Sequence, residues 1–198
     1  MIYRIVLRNI VPHFFIFKEN MGKMFNQKNH HRKSIRLREY DYTNPNWYYI
    51  TICSYKRENI FGKVEKNKMI LNKEGEIVEQ EWLKIKELRK NIDLDYYVVM
   101  PNHFHGIVII ESRDKASLVP TEERRFGKPV AGSLSTIIGS FKSAVTKRIN
   151  ELRKYKSTPI WQKNYYEHII RNEMDLFYIR RYIELNPLKW ELDEYYSS

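Results

Sequence analysis

Apolar residues recur along this chain with two different periods, and the switches between them predict its elements. Residues 47–54 (WYYITICS) follow the turn Asn44-Pro45-Asn46 and are rich in aromatic and β-branched side chains, the pattern of a first core strand. Residues 68–71 predict a short second strand. Across 72–90, Ile77, Val78, Trp82, Ile85 and Leu88 return at helical spacing among Lys and Glu, which predicts an amphipathic helix. Two apolar runs, 94–100 and 104–110, flank Pro101-Asn102, the pattern of an antiparallel hairpin of two central strands. Ser133 caps a helix to about residue 155, with Leu134, Ile137, Ile138, Phe141, Val145, Ile149 and Leu152 on one face and Lys142, Lys147 and Arg148 largely off it. A strand over 165–170 follows, and Asn172, with Asp175 three residues on, caps a last helix over 173–186 that Pro187 stops. The order β, β, α, β, β, α, β, α predicts an α+β fold, an antiparallel sheet with helices packed on it.

With 198 residues and 42% hydrophobic content, the chain supports one good core. We place a single domain at 40–190, a basic extension at 1–39 and a short C-terminal tail at 191–198; residues 1–23 take no assignment. The segment 112–132, with Pro120, Gly127, Pro129 and Gly132, reads as a long loop. The apolar stretch 10–17, broken by Pro12 and His13, is far shorter than the roughly 20 residues of a spanning helix, so no membrane anchor is expected. Cys53 is the single cysteine, which excludes an internal disulfide framework or a Cys-rich zinc site and fits a cytoplasmic location.

Charge narrows the partner class. The net charge is +11, and residues 1–39, with nine Lys or Arg against two Glu, hold +7 of it. Arg32, Lys33, Arg36 and Arg38 form the densest part of that arm, where phosphate contacts would release condensed counterions. A merely solvated positive arm is the alternative.

The strongest candidate chemistry lies in MPNHFHG, residues 100–106. Side chains two apart on a strand share a face, so His103 and His105 project together while Phe104 turns away. Two imidazoles on one rigid edge make part of a metal site; two histidines that only hydrogen-bond at a strand end are the alternative. On the last helix Tyr182 and Asn186 lie four apart on one face, at the border of an apolar stripe made by Leu176, Ile179 and Ile183. An Asn carbonyl is an acceptable hard ligand, whereas a tyrosine at such a border is commonly packing. His168 fits ordinary packing.

Taken together, VVMPNHFHGIVII, RRYIELNP, HRKSIRLREYDYTNPNWYYITICSYKRENIFG, SFKSAVTKRIN and WQKNYYEHIIRNEMDL closely resemble the REP-associated tyrosine transposases, a branch of the HUH single-tyrosine transposases of small bacterial insertion sequences. The resemblance runs from about residue 31 to 189. It implies a ferredoxin-like or RRM-like sheet and a transesterase acting on single-stranded DNA near hairpins, in the bacterial cytoplasm at the nucleoid. It implies Tyr182 as nucleophile and His103, His105 and Asn186 as ligands of a divalent metal, Mg²⁺ or Mn²⁺. It also implies DNA contacts by Arg32, Lys33, Arg36, Arg38 and Lys142, and a monomer or a homodimer. A domesticated hairpin-binding protein without mobilisation activity is the alternative.

Overall fold

The computed structural model describes residues 40–112, 130–154 and 158–196. Its elements in chain order are β1 (Asn46–Cys53), β2 (Gly62–Glu65), β3 (Lys68–Leu71), α1 (Lys73–Leu88), β4 (Ile92–Val99), β5 (His103–Ile110), α2 (Leu134–Arg153), β6 (Tyr166–Ile170) and α3 (Glu173–Leu185), followed by a 3₁₀ segment, Pro187–Leu192. The main sheet has the order β4-β5-β1-β6, all neighbours antiparallel. With the small β2–β3 hairpin set aside, this is a β-α-β-β-α-β unit whose first and third strands lie at the centre, a ferredoxin-like arrangement. The α+β expectation therefore holds. Strand β2 was not legible in advance, because GKVE has no apolar run.

Alternation along the strands divides the residues between two layers. Tyr48, Ile50, Ile52, Phe104 and Val108 face a core formed with Val78, Trp82 and Ile85 of α1 and Ile137, Ile138, Phe141 and Val145 of α2. Tyr49 and Ile107 face the other way, against Ile179, Tyr182 and Ile183 of α3. Strand β4 keeps both Leu94 and Tyr97 on the first side because its pairing shifts register between them. That bulge also presents Asp95 and Tyr96 to α3, where Arg180 donates to Asp95 at 2.7 Å and lies over the rings of Tyr96 and Trp47.

Helix caps follow the sequence closely. Asn72, Ser133 and Asn172 each accept a backbone N–H from three residues on. Two residues expected in buried stripes are exposed instead: Leu88, the last residue of α1, at 75%, and Leu152 near the end of α2, at 43%. No helix among the described residues is long and apolar enough to cross a membrane.

Glycine 106 is fixed by packing. A Cβ there would come within 2.6 Å of the Trp82 ring and 2.8 Å of Phe104, so Gly106→Ala should cost about 1–3 kcal/mol by overpacking, read as a lower denaturation midpoint. The clamp between α1 and α2 has a pH signature. Burial raises the Glu81 carboxyl, but Lys84 and Arg148, each 2.7 Å away, outweigh it and hold its pKa below the ordinary 4.5. Its contribution is present above the ordinary glutamate range and is lost as pH falls through the lowered value. Glu81→Gln should therefore lower stability at neutral pH and flatten its decline in acid, in denaturation curves taken across that range.

Candidate metal and nucleophile site

The site is built where β5 begins, on the sheet face that carries α3. The turn Pro101-Asn102 ends with the Met100 N–H donating to the His103 carbonyl at 2.8 Å. In register, Cys53 opposes His103 and Thr51 opposes His105. The two imidazole centroids are 4.5 Å apart, and neither ring is exposed.

Hydrogen bonds to neighbours assign the His103 proton and fix the His105 ring. The Asn102 amide donates to the carbonyls of Arg57 and Tyr195, at 3.2 and 2.7 Å, which turns its Oδ1 toward His103 Nδ1 at 2.9 Å. An amide oxygen only accepts, so Nδ1 carries the hydrogen and the lone pair sits on Nε2. That Nε2 is buried and has no hydrogen-bond partner among the described residues. For His105, Thr51 Oγ1 and the Tyr49 hydroxyl each lie 2.8 Å from Nδ1, and Thr51 already donates to Tyr49 at 3.0 Å. These two hydroxyls hold the ring, and His105 Nε2 faces the Tyr182 hydroxyl, 3.4 Å away.

Helix α3 supplies the rest. Asn186, at its C-terminal cap, donates from Nδ2 to Asp193 Oδ2 at 3.0 Å, which leaves Oδ1 buried with no hydrogen-bond partner among the described residues. Two acceptor atoms, His103 Nε2 and Asn186 Oδ1, are thus buried without donors, a costly condition that a bound cation relieves. No three His, Cys, Asp or Glu side chains cluster as metal ligands among the described residues.

Electrostatics agree with this chemistry. Burial, then the neighbouring His105 and Arg57, push His103 well below the usual histidine value, only partly offset by Asn186, and burial lowers His105 to about 3. Both rings are neutral at neutral pH, the form that ligates metals. Burial raises the Tyr182 phenol well above 10.0, with Tyr49 and Asp193 adding to it. The hydroxyl donates to Asp193 Oδ2 at 3.3 Å.

The structure therefore brings His103, His105, Tyr182 and Asn186 together. Tyr182 and Asn186 are buried, rather than at the border of the helix stripe as their spacing suggested, because the segment after Pro187 folds back over them. Tyr195 and Trp190 pack on the His103 ring at 4.7 and 5.8 Å. Lys142 lies elsewhere, on α2 beyond the sheet, donating to the carbonyls of Gln162 and Lys163; burial lowers its pKa to about 8. Arg32, Lys33, Arg36 and Arg38 fall outside the described residues, as does most of the 112–132 loop. His168 bonds Asp175 at 2.8 Å and ties β6 to the start of α3. Sequence reasoning missed Tyr49, Thr51, Asn102 and Asp193. Strand alternation would have placed Tyr49 and Thr51 on the histidine face, and Asn102 adjoins His103, but nothing near Asp193 signals its role.

No family model matches the chain. An uncharacterised protein of Haemophilus influenzae is 38% identical over 180 residues, covering 89% of this chain and 99% of that protein. Among solved structures, the chain is similar to a REP-associated tyrosine transposase bound to a REP hairpin, at 22% identity and a TM-score of 0.47, over 78% of this chain and 73% of that one. It is also similar to a proposed transposase of Deinococcus radiodurans, at 14% identity and a TM-score of 0.42, over 75% and 95% of the two chains.

If Asn102 sets the His103 tautomer for a ligand role, Asn102→Ala should weaken Mn²⁺ binding about 10- to 100-fold in calorimetric titration, and His168→Ala should leave it unchanged. Equal affinity in Asn102→Ala would remove the tautomer assignment.

Proposed function

The chain belongs to one family with the Haemophilus influenzae protein, and we propose that it is a REP-associated tyrosine transposase, a metal-assisted enzyme that cleaves and rejoins single-stranded DNA beside a hairpin through a covalent link to Tyr182. The observation that carries this reading is the pair of donorless buried atoms, His103 Nε2 and Asn186 Oδ1, set beside His105 and the Tyr182 hydroxyl. Two imidazole nitrogens and one amide oxygen suit Mn²⁺ or Mg²⁺, with Mn²⁺ the more tolerant of imidazole. Held by His103, His105 and Asn186, such an ion would supply Lewis-acid polarisation of the scissile phosphate. A DNA substrate puts the protein in the cytoplasm, at the nucleoid.

The chain's own residues perform the transfer. A bond forms from the Tyr182 oxygen to phosphorus and the bond from phosphorus to the 3′ oxygen breaks, leaving a 5′-phosphotyrosine and a 3′-hydroxyl. Asp193, which already accepts from the Tyr182 hydroxyl, takes the phenol proton that burial otherwise holds in place, and the departing 3′ oxygen takes it up in turn. Because the phosphodiester is exchanged and not hydrolysed, a second 3′-hydroxyl reverses the step and rejoins the strand. Asn102, Thr51 and Tyr49 orient the imidazoles throughout.

Both imidazoles are fully buried beneath residues 187–196, so a phosphate reaches them only when that segment shifts. That cover favours one second reading, a hairpin-binding protein whose chemistry stays closed off.

Incubation with labelled hairpin DNA and Mn²⁺, followed by a denaturing gel, separates the two. The transposase reading expects a protein-linked band that needs metal, disappears in Tyr182→Phe and forms about 10²- to 10⁴-fold more slowly in Asp193→Asn. Hairpin binding with no such band would establish the binder instead.

A further inference from the structure

Away from the histidine face, the C-terminal half of α2 and the stretch 159–163 enclose an open groove of about 960 Å³. Lys142, Lys147, Lys154 and Lys163 line it against a single acid, Glu151. Lys142 is committed to the Gln162 and Lys163 carbonyls and holds the two walls together. Lys147, Lys154 and Lys163 are exposed; Lys147 approaches Glu151 only at 4.0 Å. Lys147 on α2 and Lys154, the left-handed C-cap that follows it, are seven residues apart, about 10 Å along the helix axis, roughly three steps of a nucleic-acid strand at its ~3.4 Å rise.

What the groove lacks as an exposed surface narrows its ligand. Among the described residues its one aromatic is Trp161, which is 6% exposed, its ring packed on Phe61 and Phe141. Surfaces that take single strands offer open rings for the bases to stack on. A lysine-lined groove with its aromatic turned inward suits a ligand that shows only phosphates, which is a duplex, with its bases paired inside. The floor of the groove is also joined to the site's end of the sheet. Gln162 N–H donates to the Cys53 carbonyl at 3.0 Å, Trp161 bridges Ser54, and Cys53 stands opposite His103.

We propose that this groove is a second DNA-contact surface, one that grips the phosphate backbone of a duplex stem through Lys147, Lys154 and Lys163 while the single-stranded part of the same molecule reaches the histidine face. It rests on the transposase reading for the identity of the polyanion. Its contribution is affinity without sequence preference, because phosphates carry no base identity.

The test measures equilibrium binding to two probes of equal length, a DNA hairpin and an unstructured single strand, across a salt series without metal. Three chains are compared: the parent, the triple variant Lys147→Ala/Lys154→Ala/Lys163→Ala, and the control triple Lys68→Ala/Lys73→Ala/Lys90→Ala, which removes equal charge from other exposed sites. Three lost phosphate contacts should lower hairpin affinity about 10-fold or more and reduce the slope of log K against log salt by about 2.7, with a smaller loss on the single strand. A groove variant that weakens no more than the control overturns the proposal, and so does a parent chain that binds neither probe. Equal losses on both probes overturn the duplex assignment. Failure to form a covalent DNA adduct, with hairpin binding and its groove dependence intact, counts against the transesterase reading alone.

Discussion

The antiparallel pairing of β1 with β5 is the constraint on which the rest of the structure depends. Its register puts Thr51 opposite His105 and Cys53 opposite His103, and its alternation sends Phe104 and Gly106 to the opposite layer. A slip of one residue would bury the histidines against Trp82 and expose Phe104 to the site. The Trp82 ring lies where any Cβ at position 106 would fall, so the apolar layer fixes the register that the polar layer uses. Stability and chemistry are therefore coupled through one strand.

From that strand outward, each proposed ligand atom is prepared by a neighbour. Asn102 can face His103 with its oxygen because its nitrogen is held by two backbone carbonyls, and Asn186 can face inward with its oxygen because Asp193 holds its nitrogen. Desolvation keeps both imidazoles neutral. The same desolvation works against Tyr182 as a nucleophile, and the Asp193 carboxylate beside its hydroxyl supplies the acceptor that burial removes. One environment thus suits the imidazoles to the ligation proposed for them and leaves the phenol, as the proposed nucleophile, in need of a base.

Much of this was legible in the sequence, for definite reasons. Caps are local, so Asn72, Ser133 and Asn172 could be read directly and begin helices as expected. Alternation is also local, and it put His103 and His105 on one face. What local pattern could not give was depth. Tyr182 and Asn186 looked like border positions of α3 because the covering residues, Trp190 and Tyr195, arrive from a segment with no periodicity of its own. Asp193 was invisible for the same reason: its partners on α3 are seven and eleven residues back, and contact depends on the turn after Pro187. The bulge in β4 left no mark either, since Asp95 and Tyr96 read as ordinary strand positions until Arg180 docks on them.

The most direct measurement is to map the covalent attachment. After reaction with hairpin DNA and nuclease trimming, trypsin should release residues 182–189, YIELNPLK, in which Tyr182 is the only tyrosine. A nucleotide remnant joined through its 5′ phosphate to that peptide is the predicted result. A remnant on any other tyrosine, or one joined through a 3′ phosphate, would contradict the assignment of Tyr182 as the nucleophile.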